Sequence, residues 1–351
     1  MIQIQNNVPL APYTTFKVGG IAECFVHIEN MHQLVDILES DAARQPVSVF
    51  SYGSNTLISD NGIKGLTICL RGGISEVYEN QVIADAGVWW DDLVQAAIDH
   101  GLWGIEHMSK VPGSIGAATY INITAYGQSI GPNIKWVDIW DAQTGTVKRL
   151  ERYEMTWGYK QSVFQTDVHK KSIILRVCLE LSNSPQDELS YQKAIDAAAE
   201  INADLSTLDG RRAAIIAARE KAGSIWHPGD PSSSRTAGSF FRNPVVPSEV
   251  AEQVIMHDET GKTVAQIKQM NKIHGGSTRR VSSAHVMLAA GFTRGQSWGS
   301  VKLNDKNLLK IEALEGATAT DIYNVAQEII TTCQTKLGIT LQPEAEFLGK
   351  F

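Results

Sequence analysis

Short apolar runs recur through the first half of the chain: AECFVHI, PVSVFS, GLTICLR, QVIADAG, KWVDIWD and SIILRVCLEL. Their length and their content of β-branched residues predict strands. Between them, Met31 to Ser40 and Asp91 to His100 place apolar residues three and four apart, which predicts helices. Another helix is expected from a capping pair, Ser206 and Asp209, through RRAAIIAAREK to a stop at Gly223. Near the end, Ile322, Val325, Ala326, Ile329, Ile330, Cys333 and Leu337 share one helical face, with Lys336 in the last turn and Gly338 as the stop. The pattern describes an α+β or α/β body, with a domain boundary near residue 205 and no internal repeat.

Turn clusters such as YGSN, NGIKG and VPGSIGA fall between these runs, so glycine-rich backbone lies at strand ends where ligands approach. In YGSNTLISD, Gly53, Ser54 and Asn55 offer successive N–H groups and two short polar side chains to a diphosphate. In VPGSIGAATYINITAYG, Pro112, Gly113, Ser114, Gly116 and Ala117 leave little side chain between backbone and ligand. Alone, YGSNTLISD reads better as an ordinary strand-to-strand turn; the two loops together suit a long dinucleotide. No G-x-G-x-x-G opens a helix after an N-terminal strand, which argues against a Rossmann fold.

Composition narrows the classes. With 351 residues the chain exceeds what one core organises, so two or three compact units are expected. A net charge of −7 supplies no cationic field for nucleic acid or anionic lipid. The first residues carry neither a basic stretch nor a cleavage pattern, and no apolar run reaches spanning length, so a cytoplasmic protein is expected. Cys24, Cys69, Cys178 and Cys333 are far apart and suit reduced thiols. His107, His227, His274 and His285 lack metal-ligand spacing, so no metal is expected. Trp89 and Trp90 read as a helix start with aromatic packing, without a functional role.

Six blocks, TTFKVGGIAE, YGSNTLISD, the stretch from DAGVWW to TAYG, GYKQSVF, GSFFRNPVV and LGITLQPEAEFLG, resemble in order the UDP-N-acetylenolpyruvoylglucosamine reductase family. The resemblance spans almost the whole chain. It implies an α+β fold with an FAD-binding module of the vanillyl-alcohol-oxidase/PCMH type and a smaller C-terminal α+β substrate-binding domain that closes over the isoalloxazine ring. On that basis residues 1–205 form the FAD-binding region, 206–340 the substrate-binding domain, and 341–351 a segment returning to the active site. The implied activity is NADPH-dependent reduction of UDP-N-acetylglucosamine enolpyruvate by noncovalent FAD, in a monomer acting on small molecules in peptidoglycan precursor synthesis. The YGSN loop has no histidine or cysteine for covalent attachment.

By resemblance, Ser239 in GSFFRNP donates the proton and Glu344 in QPEAEF helps polarise the substrate. Cofactor contacts fall to Tyr52, Gly53, Ser54, Asn55, Thr56 and Leu57, to Pro112, Gly113, Ser114, Gly116 and Ala117, and to Asn122, Ala125 and Gly127. Substrate contacts fall to Tyr126, Tyr159, Tyr191, Arg242 and Asn243. Read without the resemblance, Ser239 is a turn cap, and Glu344 and Glu346 are edge charges on one strand face. The sequence departs from the family in three places. Lys160 stands where an arginine follows Gly-Tyr, which keeps the charge and loses the bidentate fork. Thr124 replaces a glycine, and because a β-branched residue resists the positive φ that glycine tolerates, local backbone strain is expected there; SIWHPGDP lacks a lysine, for which Arg235, Arg242 or Lys221 would compensate. These departures leave two alternatives open: a paralogue reducing another unsaturated carboxylate, and a flavin- or nucleotide-sugar-binding protein with weakened turnover.

Overall fold

The computed structural model describes residues 2–226, 233–247, 250–251, 253–254 and 280–351. The sequence readings on His227, His274 and WHPGDP from residue 227 to 231 fall outside these residues. Two compact units emerge: Met1–Val8, Ala22–Tyr52 and Lys64–Gly229 form the first, and Pro9–Ile21, Gly53–Ile63 and Asp230–Phe351 the second. No described helix is long and apolar enough to cross a membrane.

The first unit holds two sheets. One orders its strands Gln5–Pro9, Ile21–Ile28, Ile63–Leu70, Val47–Phe50; the other Thr146–Glu151, Ile134–Asp141, Ile173–Glu180, Gln81–Asp85, Ser75–Tyr78. The second sheet is antiparallel throughout. Its central strands are buried along nearly their whole length, as their continuous apolar runs demand, whereas TVKRLE lies at the edge and is mostly exposed. Helices α1 (Met31–Glu39), α2 (Trp90–Asp99) and α3 (Ile115–Tyr120) join that core through Leu34, Trp90, Val94 and Ile115, among others. Trp90 is wholly buried and its indole N–H donates to the Met108 carbonyl at 3.0 Å, so it packs at a helix start as expected, whereas Trp89 is only half-buried.

The predicted break near residue 205 is not where the chain divides. Helices α4 (Gln192–Ile201) and α5 (Leu208–Lys221) share an apolar cluster of Ala194, Ala197, Ala198, Ala214, Ile215 and Ala218, and both belong to the first unit. Neither helix buries its stripe without the other, so a boundary between them would expose both. The division follows the glycine stop instead. Thr207, not Ser206, caps α5, its hydroxyl accepting from the Gly210 N–H at 3.0 Å.

In the second unit, α6 (Ser283–Ala289) and α7 (Ala319–Leu337) pack on a hairpin of Val301–Leu303 and Ile311–Ala313. The stripe read from the sequence is the buried face of α7: Ile322, Val325, Ala326, Ile329 and Cys333. Each buried Ile or Val there contributes roughly 1.5–3 kcal/mol. A capping box of Thr318 and Asp321 opens α7, and Gly338, at φ +69°, closes it. Residues 341–351 are no separate segment: Glu346–Leu348 pairs in parallel with Thr56–Ile58 inside the second unit.

Candidate active site

The YGSN loop straddles the two units, Tyr52 in the first and Gly53 onward in the second. In the first, the Ser51 hydroxyl donates to the Ser114 hydroxyl at 3.0 Å, which brings the start of the loop to the second glycine-rich segment. Tyr52 meets Trp89 edge to face at 4.5 Å, Trp226 follows at 5.8 Å from Trp89, and Arg71 lies 5.1 Å from the Tyr52 ring centre. Burial raises the Tyr52 phenol above its ordinary value despite Arg71.

In the second unit, Gly53 takes φ +61°, and a Cβ there would lie 2.5 Å from the Tyr13 carbonyl oxygen. The glycine is therefore required by the chain's own crossing. The Asn55 amide donates to the Glu344 carbonyl at 3.0 Å, and the Glu346 N–H donates to the Asn55 carbonyl at 2.9 Å. The loop assigned to the cofactor thus also fixes the segment carrying Glu344. Thr56 begins a strand, and the Leu57 side chain is wholly buried in the second unit's core, leaving only its backbone for any ligand.

Residues 111–117 are less loop than expected. The Ser114 hydroxyl accepts from the Ala117 N–H and caps α3, while the Gly113 carbonyl accepts from the Trp90 N–H at 2.9 Å. Gly116 corrects the sequence reading: its N–H donates to the Ala86 carbonyl at 2.9 Å, and a Cβ would sit 2.7 Å from that of Ala86. Its missing side chain admits a neighbouring strand end rather than a ligand. Gly116→Ala is expected to cost about 1–3 kcal/mol in urea unfolding, as an overpacked contact does; an unchanged midpoint would remove this account.

The following stretch is a hairpin, Thr124–Ala125 with Gln128–Ser129, turned by Tyr126 and Gly127 at φ +47° and +91°. Thr124 itself is in an extended strand, so the strain expected from replacing glycine there does not arise. Asn122, assigned to the cofactor, spends its side chain within the protein: Nδ2 donates to the Gly158 carbonyl at 2.7 Å and Oδ1 accepts from the Gly131 N–H at 2.9 Å. It thereby holds the hairpin Trp157–Gly158 with Gln161–Ser162, whose turn is Tyr159 and Lys160, the latter at φ +54°. Tyr191 precedes α4 and meets Tyr126 edge to face at 5.0 Å.

In the second unit, Phe241 bridges Pro343, the Glu344 N–H donates to the Phe240 carbonyl at 2.7 Å, and the Arg242 N–H donates to the Gln342 carbonyl at 2.9 Å. Half-buried Ser239 and Glu344 therefore flank one backbone ladder. Glu344 precedes the strand rather than sharing its face with Glu346, whose carboxyl is raised by burial in spite of Arg242. The Asn243 Oδ1 accepts from the Ser283 N–H and hydroxyl, at 2.9 and 3.0 Å, and so anchors the start of α6.

Comparison with known proteins places this geometry. Residues 22–151 match the family described as FAD binding domain, and residues 230–348 match UDP-N-acetylenolpyruvoylglucosamine reductase, C-terminal domain. The reductase of that name from Mycobacterium marinum is 31% identical, over 99% of this chain and 96% of its own. That from Thermobifida fusca is 29% identical, over 98% of each. This chain belongs to the UDP-N-acetylenolpyruvoylglucosamine reductase family. It is an FAD-dependent oxidoreductase. The crystal structure of the reductase from Thermus caldophilus shares the fold, at 21% identity and a TM-score of 0.62, covering 99% of this chain and 100% of the other.

The residues present fit the family's cofactor. Paired hydroxyls at Ser51 and Ser114 and the half-buried aromatic faces of Tyr52, Trp89 and Trp226 suit a diphosphate joined to flat rings. Two of the three cations read as compensating charge are committed elsewhere. Arg235 donates to the carbonyls of Phe16, Lys17 and Leu314, and Lys221 pairs with Glu200. The cation that sequence reading missed is Arg219, buried in the last turn of α5, where helical periodicity marks it as an ordinary polar position.

Proposed function

We propose that this protein reduces UDP-N-acetylglucosamine enolpyruvate to UDP-N-acetylmuramate with NADPH as hydride donor and noncovalent FAD, a step in peptidoglycan precursor synthesis. The reading rests chiefly on one observation: the segments bearing Ser239 and Glu344, remote in sequence, are joined by the Glu344 N–H to Phe240 carbonyl hydrogen bond of 2.7 Å.

FAD, when bound, supplies the carrier that accepts hydride from the nicotinamide and delivers it to the substrate's methylene carbon. Tyr52 to Leu57, Pro112 to Ser114 and the Ala125–Gly127 turn are the groups that would hold it. The carbon next to the carboxylate then carries negative charge and requires a proton, which the Ser239 hydroxyl donates. Glu344 polarises the enolpyruvyl group, and Lys160 steadies the carboxylate through charge alone, without arginine's two parallel hydrogen bonds. Tyr126, Tyr159, Tyr191, Arg242 and Asn243 orient the nucleotide sugar.

An anaerobic titration tests the proposal. NADPH is expected to bleach the flavin band, and the enolpyruvyl substrate to restore it. Bleaching without recovery points to a different unsaturated acceptor; no bleaching points to a binding protein without turnover. Lys160→Arg is expected to quicken the recovery, and a slower one would mean that lysine is tuned to another acceptor.

A further inference from the structure

We propose that His107 is a positioning residue: its imidazole, clamped by Glu106 and Arg211, supports the Tyr126–Gly127 turn through the Tyr126 carbonyl and so sets the backbone against which the flavin docks. That the flavin meets this turn, at Ala125 and Gly127, rests on the function proposed above; the clamp rests on the groups buried against the hairpin.

The turn needs such a support. Tyr126 holds φ +47° and Gly127 +91°, and a residue other than glycine keeps the left-handed conformation only where its surroundings over-determine it. Against the hairpin packs the single helical turn Glu106–Met108, and Glu106, His107, Gln128 and Arg211 are all buried. The His107 N–H donates to Gln128 Oε1 at 2.8 Å, which ties that turn to the second strand of the hairpin. Glu106 accepts from the Gly104 N–H at 2.8 Å on one oxygen and from Arg211 Nη1 at 3.0 Å on the other. The same Arg211 nitrogen donates to the Asp187 carbonyl at 2.7 Å and stands 3.3 Å from His107 Nε2.

This arrangement fixes where the imidazole carries its proton. Burial, aided by Arg211, keeps the ring neutral against the pull of Glu106 and Asp187. A guanidinium only donates, so Nε2, facing Arg211, is the acceptor and Nδ1 bears the hydrogen. Nδ1 is buried and completes no hydrogen bond among the described residues, and the backbone group acting on the ring is that of Tyr126. It favours a proton on the ring, which a carbonyl oxygen does and an N–H does not. The unspent Nδ1–H therefore serves the carbonyl of the strained residue. A buried ion pair adds little net stability over apolar packing, so what Glu106 and Arg211 supply here is the ring's orientation.

The two sides of the ring are separable by substitution, with FAD affinity of the full-length protein read from flavin fluorescence. His107→Asn places an amide N–H where Nδ1 stands and is expected to keep the wild-type affinity. His107→Gln reaches toward Arg211 instead, leaves the Tyr126 carbonyl unserved, and should weaken FAD binding roughly tenfold. His107→Leu serves neither side and should weaken it at least as much. A merely structural histidine would lower the thermal midpoint in all three variants without separating Asn from Gln; that result overturns the proposal, as does wild-type affinity in His107→Gln. If His107→Leu does not fold, the comparison of Asn with Gln decides alone. Nitrogen-15 spectra of the imidazole give a second reading: a neutral Nδ1–H ring at pH 7 supports the clamp, and an Nε2–H or charged ring sinks it. Both readings are taken without the enolpyruvyl substrate. Wild-type protein that binds FAD yet fails to reduce that substrate would therefore sink the proposed function and leave this inference standing, whereas normal turnover with unaltered affinity in His107→Gln would sink this inference alone.

Discussion

Ser239→Ala is expected to leave reduction of the flavin by NADPH intact and to slow its reoxidation by the enolpyruvyl substrate about 10²–10⁴-fold, the range a positioned proton donor contributes. On the proposed mechanism the two half-reactions separate, because hydride arrival from the nicotinamide would need no proton from this side chain, whereas completion of the substrate would. Ser239 is half-buried beside the ladder that carries Glu344, so replacing its hydroxyl by hydrogen leaves the Phe240, Phe241 and Arg242 backbone bonds in place. Stopped-flow absorbance of the flavin band reads both steps. Equal slowing of both, or of neither, would remove Ser239 from the proton-donating role.

The second large effect is structural. Asp91→Ala should destabilise the first unit by about 3–5 kcal/mol, the range for removing one partner of a buried ion pair. Asp91 is 3% exposed and receives both terminal nitrogens of Arg212, the Lys110 ammonium at 2.8 Å and the Lys110 N–H at 2.6 Å. Burial alone would raise this carboxyl; the bonds from Arg212 and Lys110 outweigh it and hold it at about 2. The folded value lies below the ordinary 3.8, so the carboxylate's contribution is complete above pH 3.8 and is lost as pH falls toward 2. That contribution is about 2 kcal/mol. Denaturant unfolding should therefore show a wide gap between wild type and variant at pH 7 that narrows near pH 2. A gap independent of pH would contradict the ion-pair account.

Much of the candidate site can be nominated from the sequence because its residues sit in short, distinctive blocks. GSFFRNP and QPEAEF pointed to Ser239 and Glu344, although nothing local says that they share a ladder. The glycines were read less well. A glycine looks alike whether it makes room for a ligand or for its own chain, and Gly53 and Gly116 prove to admit Tyr13 and Ala86. Thr124 was suspected of strain because a sequence does not reveal which residue of a turn takes positive φ; Tyr126 and Gly127 do. Arg219 was overlooked because burial of a charged residue depends on what packs over it.

By itself, the sequence determined what depends on neighbours along the chain: the strand runs, the apolar stripe of α7 with its Gly338 stop, and the glycine break after α5. Periodicity and capping act over one or two turns, so they survive being read in one dimension. Tertiary structure alone decided where the units divide, which arginine of α5 has no carboxylate partner among the described residues, and that Asn55 clasps Glu344. Those outcomes turn on burial and on hydrogen bonds between distant segments, whose strength depends on the water excluded when the chain closes on itself.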